Sequence, residues 1–234
     1  KYDMYGYVDR VPLKGIRKAT AQKMSESWHN VPHVAHMDEI VADELVKLRE
    51  EKKKLAERKK IKLTYLPFII KAVIEGFKEY PIFNSSLEQE EIIIKKYFNI
   101  GIAVSTDEGL LVPVIKGADK KDIFQIAKEI EELADKARKR QIDLADLRGG
   151  TFTITNIGSV GGKFFTPIVN YPESSILGLG RMEDKVFYEN NKVIVKKVLP
   201  ISFSFDHRIA DGATASAFMN IVKELLENPR KLKV

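Results

Sequence analysis

The chain contains no cysteine. Disulfide cross-links, thiolate metal sites and a cysteine nucleophile are thereby excluded. No apolar run is long enough to cross a bilayer as a helix, and no charged-then-apolar secretory leader opens the chain. Lys1 is not an initiator methionine, which leaves room for a leader or further domains upstream in the natural protein. Phosphate-binding fingerprints are missing too. The Gly158-Ser159-Val160-Gly161-Gly162 loop fits neither the P-loop nor the dinucleotide pattern and has no lysine followed by serine or threonine at P-loop spacing, so a tight turn is its simpler role. No Gly-x-Ser-x-Gly elbow is present, and a serine-hydrolase reading has no nucleophile to name. There is no internal repeat, low-complexity tract or linker. The 234 residues suffice to bury a sizeable core, and one domain over 1–234 is the expectation.

The net charge is +6, with basic clusters at Lys52-Lys53-Lys54 and Arg58-Lys59-Lys60 plus Lys62. A nucleic-acid site would call for interleaved aromatics to stack on bases, and this segment has none. Glu50, Glu51 and Glu57 share it, with Glu50 and Lys54 at helical spacing, so a solvated helix face is expected. His29, His33 and His36 invite a metal site. Pro32 breaks the helix that would align the first two, and the odd separation of His33 and His36 sends them to opposite faces of a strand. Structural or surface roles are expected, and no metal.

Apolar periodicity places helices over 13–27, around Leu45 to Leu55, from a Thr64 cap with Pro67 in the first turn towards Pro81, over 123–137, and from Asp211 to Asn228-Pro229. Strands are expected over 34–41, 91–97, 99–105, 111–115, 175–180, 185–188 and 193–199, the last two joined as a hairpin through Glu189-Asn190-Asn191. The fold class that suits this order is α+β, with helices packed on a mixed, largely antiparallel sheet.

Chemistry concentrates at Ser204-Phe205-Asp206-His207-Arg208-Ile209-Ala210-Asp211-Gly212. Ile201, Phe203 and Phe205 alternate with Ser202, Ser204 and Asp206 as in a half-buried strand, and His207 stands at the strand end just before a helix that Asp211 can cap. On residue types alone, a structural histidine with surface charges at Asp206 and Arg208 fits as well as a catalytic one. The His-Arg-x-x-Asp-Gly motif after this strand resembles the signature of the dihydrolipoyl acyltransferases, the core components of 2-oxo acid dehydrogenase complexes. Pro12 to Lys18, Val31-Pro32-His33, Asn99 to Val104, Gly109 to Val114 and Gly150 to Gly158 are similar to further family blocks in the same order, so the resemblance covers nearly the whole chain.

The resemblance implies a chloramphenicol acetyltransferase-like fold and acyl transfer between a dihydrolipoyl arm and coenzyme A, an anionic ligand that the positive charge suits. His207 would be the general base and Thr155 the oxyanion donor. Asp211 would brace the histidine loop, and Arg17 is its expected partner. Coenzyme A contacts would fall on Arg10, Ser25, Thr155 and Asn156. The family's sites form between subunits of a trimer, with the histidine of one chain facing the hydroxyl of the next, and trimers build a hollow core in which Leu232 and Val234 are candidate contacts; a frayed tail fits those two equally. Lipoyl and subunit-binding domains, absent from this chain, would bring the lipoyl group, the decarboxylating dehydrogenase and dihydrolipoyl dehydrogenase. A cytoplasmic location is implied, or the mitochondrial matrix in a eukaryote. The segments 37–40 and 45–50, with Asn156 to Ser159, most resemble the branched-chain type, whereas Thr155-Asn156 also resembles succinyl-transferring members. A non-catalytic core subunit and a small-molecule acetyltransferase are the rival readings.

Overall fold

The computed structural model describes residues 1–232. Helix α1 (Gly15–Asn30) runs past its expected end, and the His29 ring and the Asn30 amide bond back to the carbonyls of Ser25 and Glu26. Val31, extended ahead of Pro32, stops it. Strand β1 (His33–Val41) and helix α2 (Asp43–Arg58) follow. The basic cluster lies on α2 as a solvated face, with Lys53 3.9 Å from Glu50 and 4.0 Å from Glu57. Helix α3 (Leu66–Glu79) follows Tyr65, which makes no side-chain cap bond, while the expected Thr64 accepts from the Leu66 N–H through Oγ1 at 3.4 Å; Pro67 sits in the first turn, where no hydrogen-bond donor is needed.

Next come β2 (Ser85–Glu88), β3 (Glu91–Ile94), β4 (Ile100–Ile102), β5 (Val104–Thr106), β6 (Gly109–Leu111) and β7 (Val114–Ile115). Two expected strands, 99–105 and 111–115, are each cut in two, since β5 and β6 leave the main sheet as a hairpin of their own and Pro113 lacks a donor for the ladder. Helix α4 (Ile123–Arg138) opens on a reciprocal Asp122–Gln125 capping box. Strands β8 (Phe152–Asn156), β9 (Ser175–Leu179), β10 (Glu183–Glu189) and β11 (Lys192–Asp206) precede the last helix, α5 (Gly212–Glu227). The β10–β11 hairpin turns at Asn190 and Asn191, both at positive φ (50° and 58°), as the right-handed strand twist prefers.

Seven strands form the main sheet in the order β1-β11-β9-β8-β4-β7, with β10 also on β11; β8 is parallel to β4 and β9, and the other pairs are antiparallel. Strand β11 is continuous through Pro200. Its partner on one side changes from β10, whose pairing reaches Val198 of β11, to β9, whose pairing starts at Ile201 of β11, so the proline falls where no ladder donor is required.

Residues from α2 to α5 pack on one sheet face around Phe77, Phe83, Phe152, Phe203 and Phe218, with ring centroids 4.9 to 5.5 Å apart for Phe83–Phe218, Phe77–Phe152, Phe203–Phe218 and Phe77–Phe218. The other face is covered as well, which corrects the half-buried reading of β11: Ser202 and Ser204 are 0 % exposed and Asp206 is 2 %. The cover is the irregular segment between β8 and β9. Phe165 donates its N–H to Ser202 Oγ at 3.3 Å and lies against Gly178, while Ser27 of α1 donates to the Val169 carbonyl at 2.6 Å. Leu232 is 5 % exposed and part of the chain's own core, so it is no free contact for another trimer; Val234 lies outside the described residues.

Candidate active site

The turn after β11 is built from backbone inward. Asp206 donates its N–H to the Ser174 carbonyl (2.9 Å), His207 to the Pro32 carbonyl (3.1 Å) and Ile209 to the Asp206 carbonyl (3.0 Å). The buried Asp206 carboxylate accepts from Arg208 N (2.9 Å), Nε (3.0 Å) and Nη2 (2.6 Å), so neither residue is the free surface charge that their types allow. Between them, the exposed His207 imidazole stacks on Phe205 with centroids 5.9 Å apart and has no side-chain hydrogen bond among the described residues.

Asp211 caps α5, accepting from Thr214 N at 2.8 Å. Hydrogen bonds from Thr214 hold its carboxyl below the usual range, with the His207 charge a minor contributor. The expected Arg17 partner is not there: among the described residues neither Arg17 nor Asp211 forms an ion pair, and Asp211 Oδ1 accepts from the Thr214 N–H instead. The side-chain bonds that flank His207 are thus those of the helix start and the Asp206–Arg208 pair.

Thr155 is half-buried on β8, pointing away from the core face that Phe152 and Ile154 occupy. It stands opposite Gly178 of β9, which stands opposite Ser202 of β11, five positions before His207. That offset is about 17 Å along the sheet, and two strand spacings add about 10 Å across it. Within one chain, His207 and Thr155 are therefore held apart at roughly 20 Å.

Asn156, next on β8, lines a cavity of about 200 Å³ with Tyr65, Gly158, Ser159, Gly180 and Met182. Its Oδ1 accepts from Gly158 N at 2.8 Å, and Ile157 O accepts from both Val160 and Gly161 N–H at 2.9 Å, so the glycine segment is a tight turn. It is also a cavity wall, which the sequence reading missed. The signal was the glycines themselves: a Cβ on Gly158 would stand 2.5 Å from the Gly180 carbonyl oxygen, so two backbones touch here. Arg10, in the segment before α1, and Ser25, on α1, are exposed, and neither lines this cavity.

The other histidines are structural. Val169 N–H donates to His33 Nε2 (3.0 Å), which puts the proton on Nδ1, where it is donated to the Val31 carbonyl (2.7 Å); burial holds this ring's pKa down, and Trp28 stacks on it at 5.2 Å. His36 faces the opposite way, its Nδ1 3.3 Å from Ser216 Oγ on α5. No cluster of three metal-ligating side chains occurs among the described residues. One buried acid went unnoticed in sequence. Glu173, 6 % exposed, accepts from Thr153 Oγ1 (2.6 Å) and Asn170 Nδ2 (3.1 Å), and burial pushes its carboxyl up to about 7.

Residues 6–234 match the 2-oxoacid dehydrogenases acyltransferase (catalytic domain) family. The chain belongs to that family. Acyltransferase relatives reproduce it closely. It is 47 % identical over 223 residues to the dihydrolipoyllysine-residue acetyltransferase component of the pyruvate dehydrogenase complex of Bacillus subtilis, covering 94 % of this chain and 50 % of that protein. This acyltransferase chain thus spans about half the length of the curated relative. That relative is of the pyruvate dehydrogenase type, not the branched-chain type expected from segments 37–40 and 45–50. The dihydrolipoamide acetyltransferase of Azotobacter vinelandii superposes with a TM-score of 0.93 at 41 % identity, covering 97 % of this chain and 94 % of that one. It was solved to establish the catalytic roles of a serine, of a histidine 52 positions later and of an asparagine four beyond that. The cubic core of a pyruvate dehydrogenase multienzyme complex gives a TM-score of 0.93 at 40 % identity with the same coverage. A chloramphenicol acetyltransferase, at a TM-score of 0.55 and 14 % identity over 88 % of this chain and 94 % of that one, shares the fold alone and supports the expected α+β architecture.

Proposed function

We propose that this acyltransferase domain moves an acyl group between a dihydrolipoyl thiol and coenzyme A at sites completed between subunits. One observation carries the reading: His207 is an exposed imidazole on a braced turn, and Thr155, His207 and Asp211 are spaced 52 and four positions apart, as are the serine, histidine and asparagine of the Azotobacter enzyme. A neutral imidazole is a competent acceptor for a thiol proton, and His207 takes it as general base. The sulfur then attacks the thioester carbonyl carbon. The Thr155 hydroxyl donates to the oxyanion that forms, and collapse expels the second thiolate, which recovers the proton from His207. No protein nucleophile is needed, in keeping with a chain that has no cysteine. Asp211 acts through the helix cap, holding the turn rather than taking a proton.

The separation of His207 from Thr155 supports catalysis in trans within a trimer, and the cubic-core relative supports further assembly into a hollow core. Coenzyme A contacts Asn156 at the cavity and Thr155 on the opposite face of β8, with Arg10 and Ser25 as the further expected contacts. The lipoyl group, the decarboxylating dehydrogenase and dihydrolipoyl dehydrogenase are partners reached through domains outside this chain. An acetyl group is the preferred cargo, on the strength of the relatives' names, ahead of a branched or succinyl group.

The test is transfer from acetyl-, isobutyryl-, isovaleryl- and succinyl-coenzyme A to free dihydrolipoamide. Acetyl transfer that falls about a hundredfold to ten-thousandfold in His207→Ala is the expected result. A better rate with isobutyryl or isovaleryl donors overturns the acetyl assignment. No transfer from any donor by an intact oligomer overturns catalysis and leaves a structural core subunit.

A further inference from the structure

We infer that the Asp206–Arg208 ion pair is the positioning element for His207, an inference that rests on His207 being the base. The imidazole is exposed and has no hydrogen bond of its own among the described residues, so its aim within the chain is set by the backbone that carries it. That backbone is closed into a ring by the residues on either side. Asp206 Oδ1 accepts from both the backbone N–H (2.9 Å) and Nε (3.0 Å) of Arg208, and Oδ2 accepts from Nη2 (2.6 Å) and Nε (3.2 Å). The fork spans both carboxylate oxygens, a geometry that only a guanidinium supplies.

Asp206 is itself immobile, 2 % exposed and tied by its N–H to Ser174 ahead of β9, while His207 N–H is tied to Pro32 ahead of β1. The clamp therefore transmits the rigidity of the strands on both sides of β11 to the one residue that protrudes. A lysine keeps the charge opposite Asp206 but makes one point contact, leaving the turn free to shift by the fraction of an ångström that proton transfer does not tolerate.

The experiment compares Arg208→Lys and Arg208→Gln with wild type and with His207→Ala in the assembled oligomer, reading kcat, both Michaelis constants and the melting temperature. Arg208→Lys is expected to lose about tenfold to a hundredfold in kcat, with both KM values within about twofold and the oligomer intact. Arg208→Gln loses at least as much; where it fails to assemble, the lysine variant carries the test. Wild-type kcat in Arg208→Lys, or a melting-temperature drop with kcat per folded subunit unchanged, overturns the clamp. A loss confined to KM also overturns it, by making Arg208 a binding residue. Wild-type turnover in His207→Ala is a different failure, that of the base itself, and is read from a separate variant.

Discussion

Mixing two inactive variants should restore activity. Thr155 and His207 are tied by strand register to points about 17 Å apart along the sheet and about 10 Å across it, whereas a general base must come within about 3 Å of the group it serves. No side-chain rotation closes roughly 20 Å, because each residue sits on or directly after a strand of the same seven-stranded sheet. His207→Ala removes the proposed base, and Thr155→Val the proposed oxyanion donor, at an expected cost of about a hundredfold or more each. In the proposed trimer, a head-to-tail ring, each site would take its histidine from one chain and its hydroxyl from the next. Unfolding and refolding the two variants together at equal amounts gives each site an even chance of the intact histidine and an even chance of the intact hydroxyl. About a quarter of the sites are then whole, and the mixture should recover about a quarter of wild-type turnover. The assay is acetyl transfer to dihydrolipoamide, with mass spectrometry of the intact trimers to show that chains have exchanged. Exchanged trimers that stay at the level of the single variants would refute the shared site.

Two further outcomes follow from other parts of the molecule. Burial raises Glu173 to about 7 in the folded chain, against ~4.3 for an unperturbed carboxyl, so folding favours its protonated form; that stabilisation is complete below the lower value and is lost as pH rises through about 7. Between about pH 5 and pH 8, wild type should therefore lose roughly 3 kcal/mol relative to Glu173→Gln in denaturant unfolding, and a pH-independent difference between the two sinks the assignment. A Cβ on Gly180 would collide with the Lys163 carbonyl, so Gly180→Ala should push the 158–163 turn into the Asn156 cavity and raise KM for coenzyme A about tenfold. An unchanged KM with an unchanged melting temperature would show that the cavity is not where coenzyme A lies.

Much of the scaffold is legible where one kind of physics acts alone. Helix α4 combines a strict apolar period with a reciprocal cap at Asp122, and α5 an apolar period with a one-way cap from Asp211, so both start as expected. Strand β11 is harder, because Pro200 reads locally as a stop; only the change of partner from β10 to β9 makes it harmless, and that is a tertiary fact. The second face of β11 misleads in a related way. Serines that alternate with phenylalanines look solvated, yet an irregular segment seals them, and irregular cover has no period to read. At the site, His207 stands out because strand, turn and cap converge on it. The Arg17 expectation fails because cap donors three residues from Asp211 are closer at hand than any distant guanidinium. Glu173 leaves no pattern at all: a single acid in a loop becomes unusual only once Thr153 and Asn170 close over it.

Strand β1 pairs with β11, the last strand to be made, and this has a consequence for synthesis on the ribosome. At about 5 to 20 residues per second, the stretch from Val41 to Lys192 takes about 8 to 30 s to emerge. For that time β1 has no partner in the main sheet, and Phe68, Phe77 and the other apolar residues of α3 wait for α5. A nascent chain of this kind is a natural client for holding factors. Since His207 follows directly on β11, the strand that ends this exposure also delivers His207, the proposed base, to its turn.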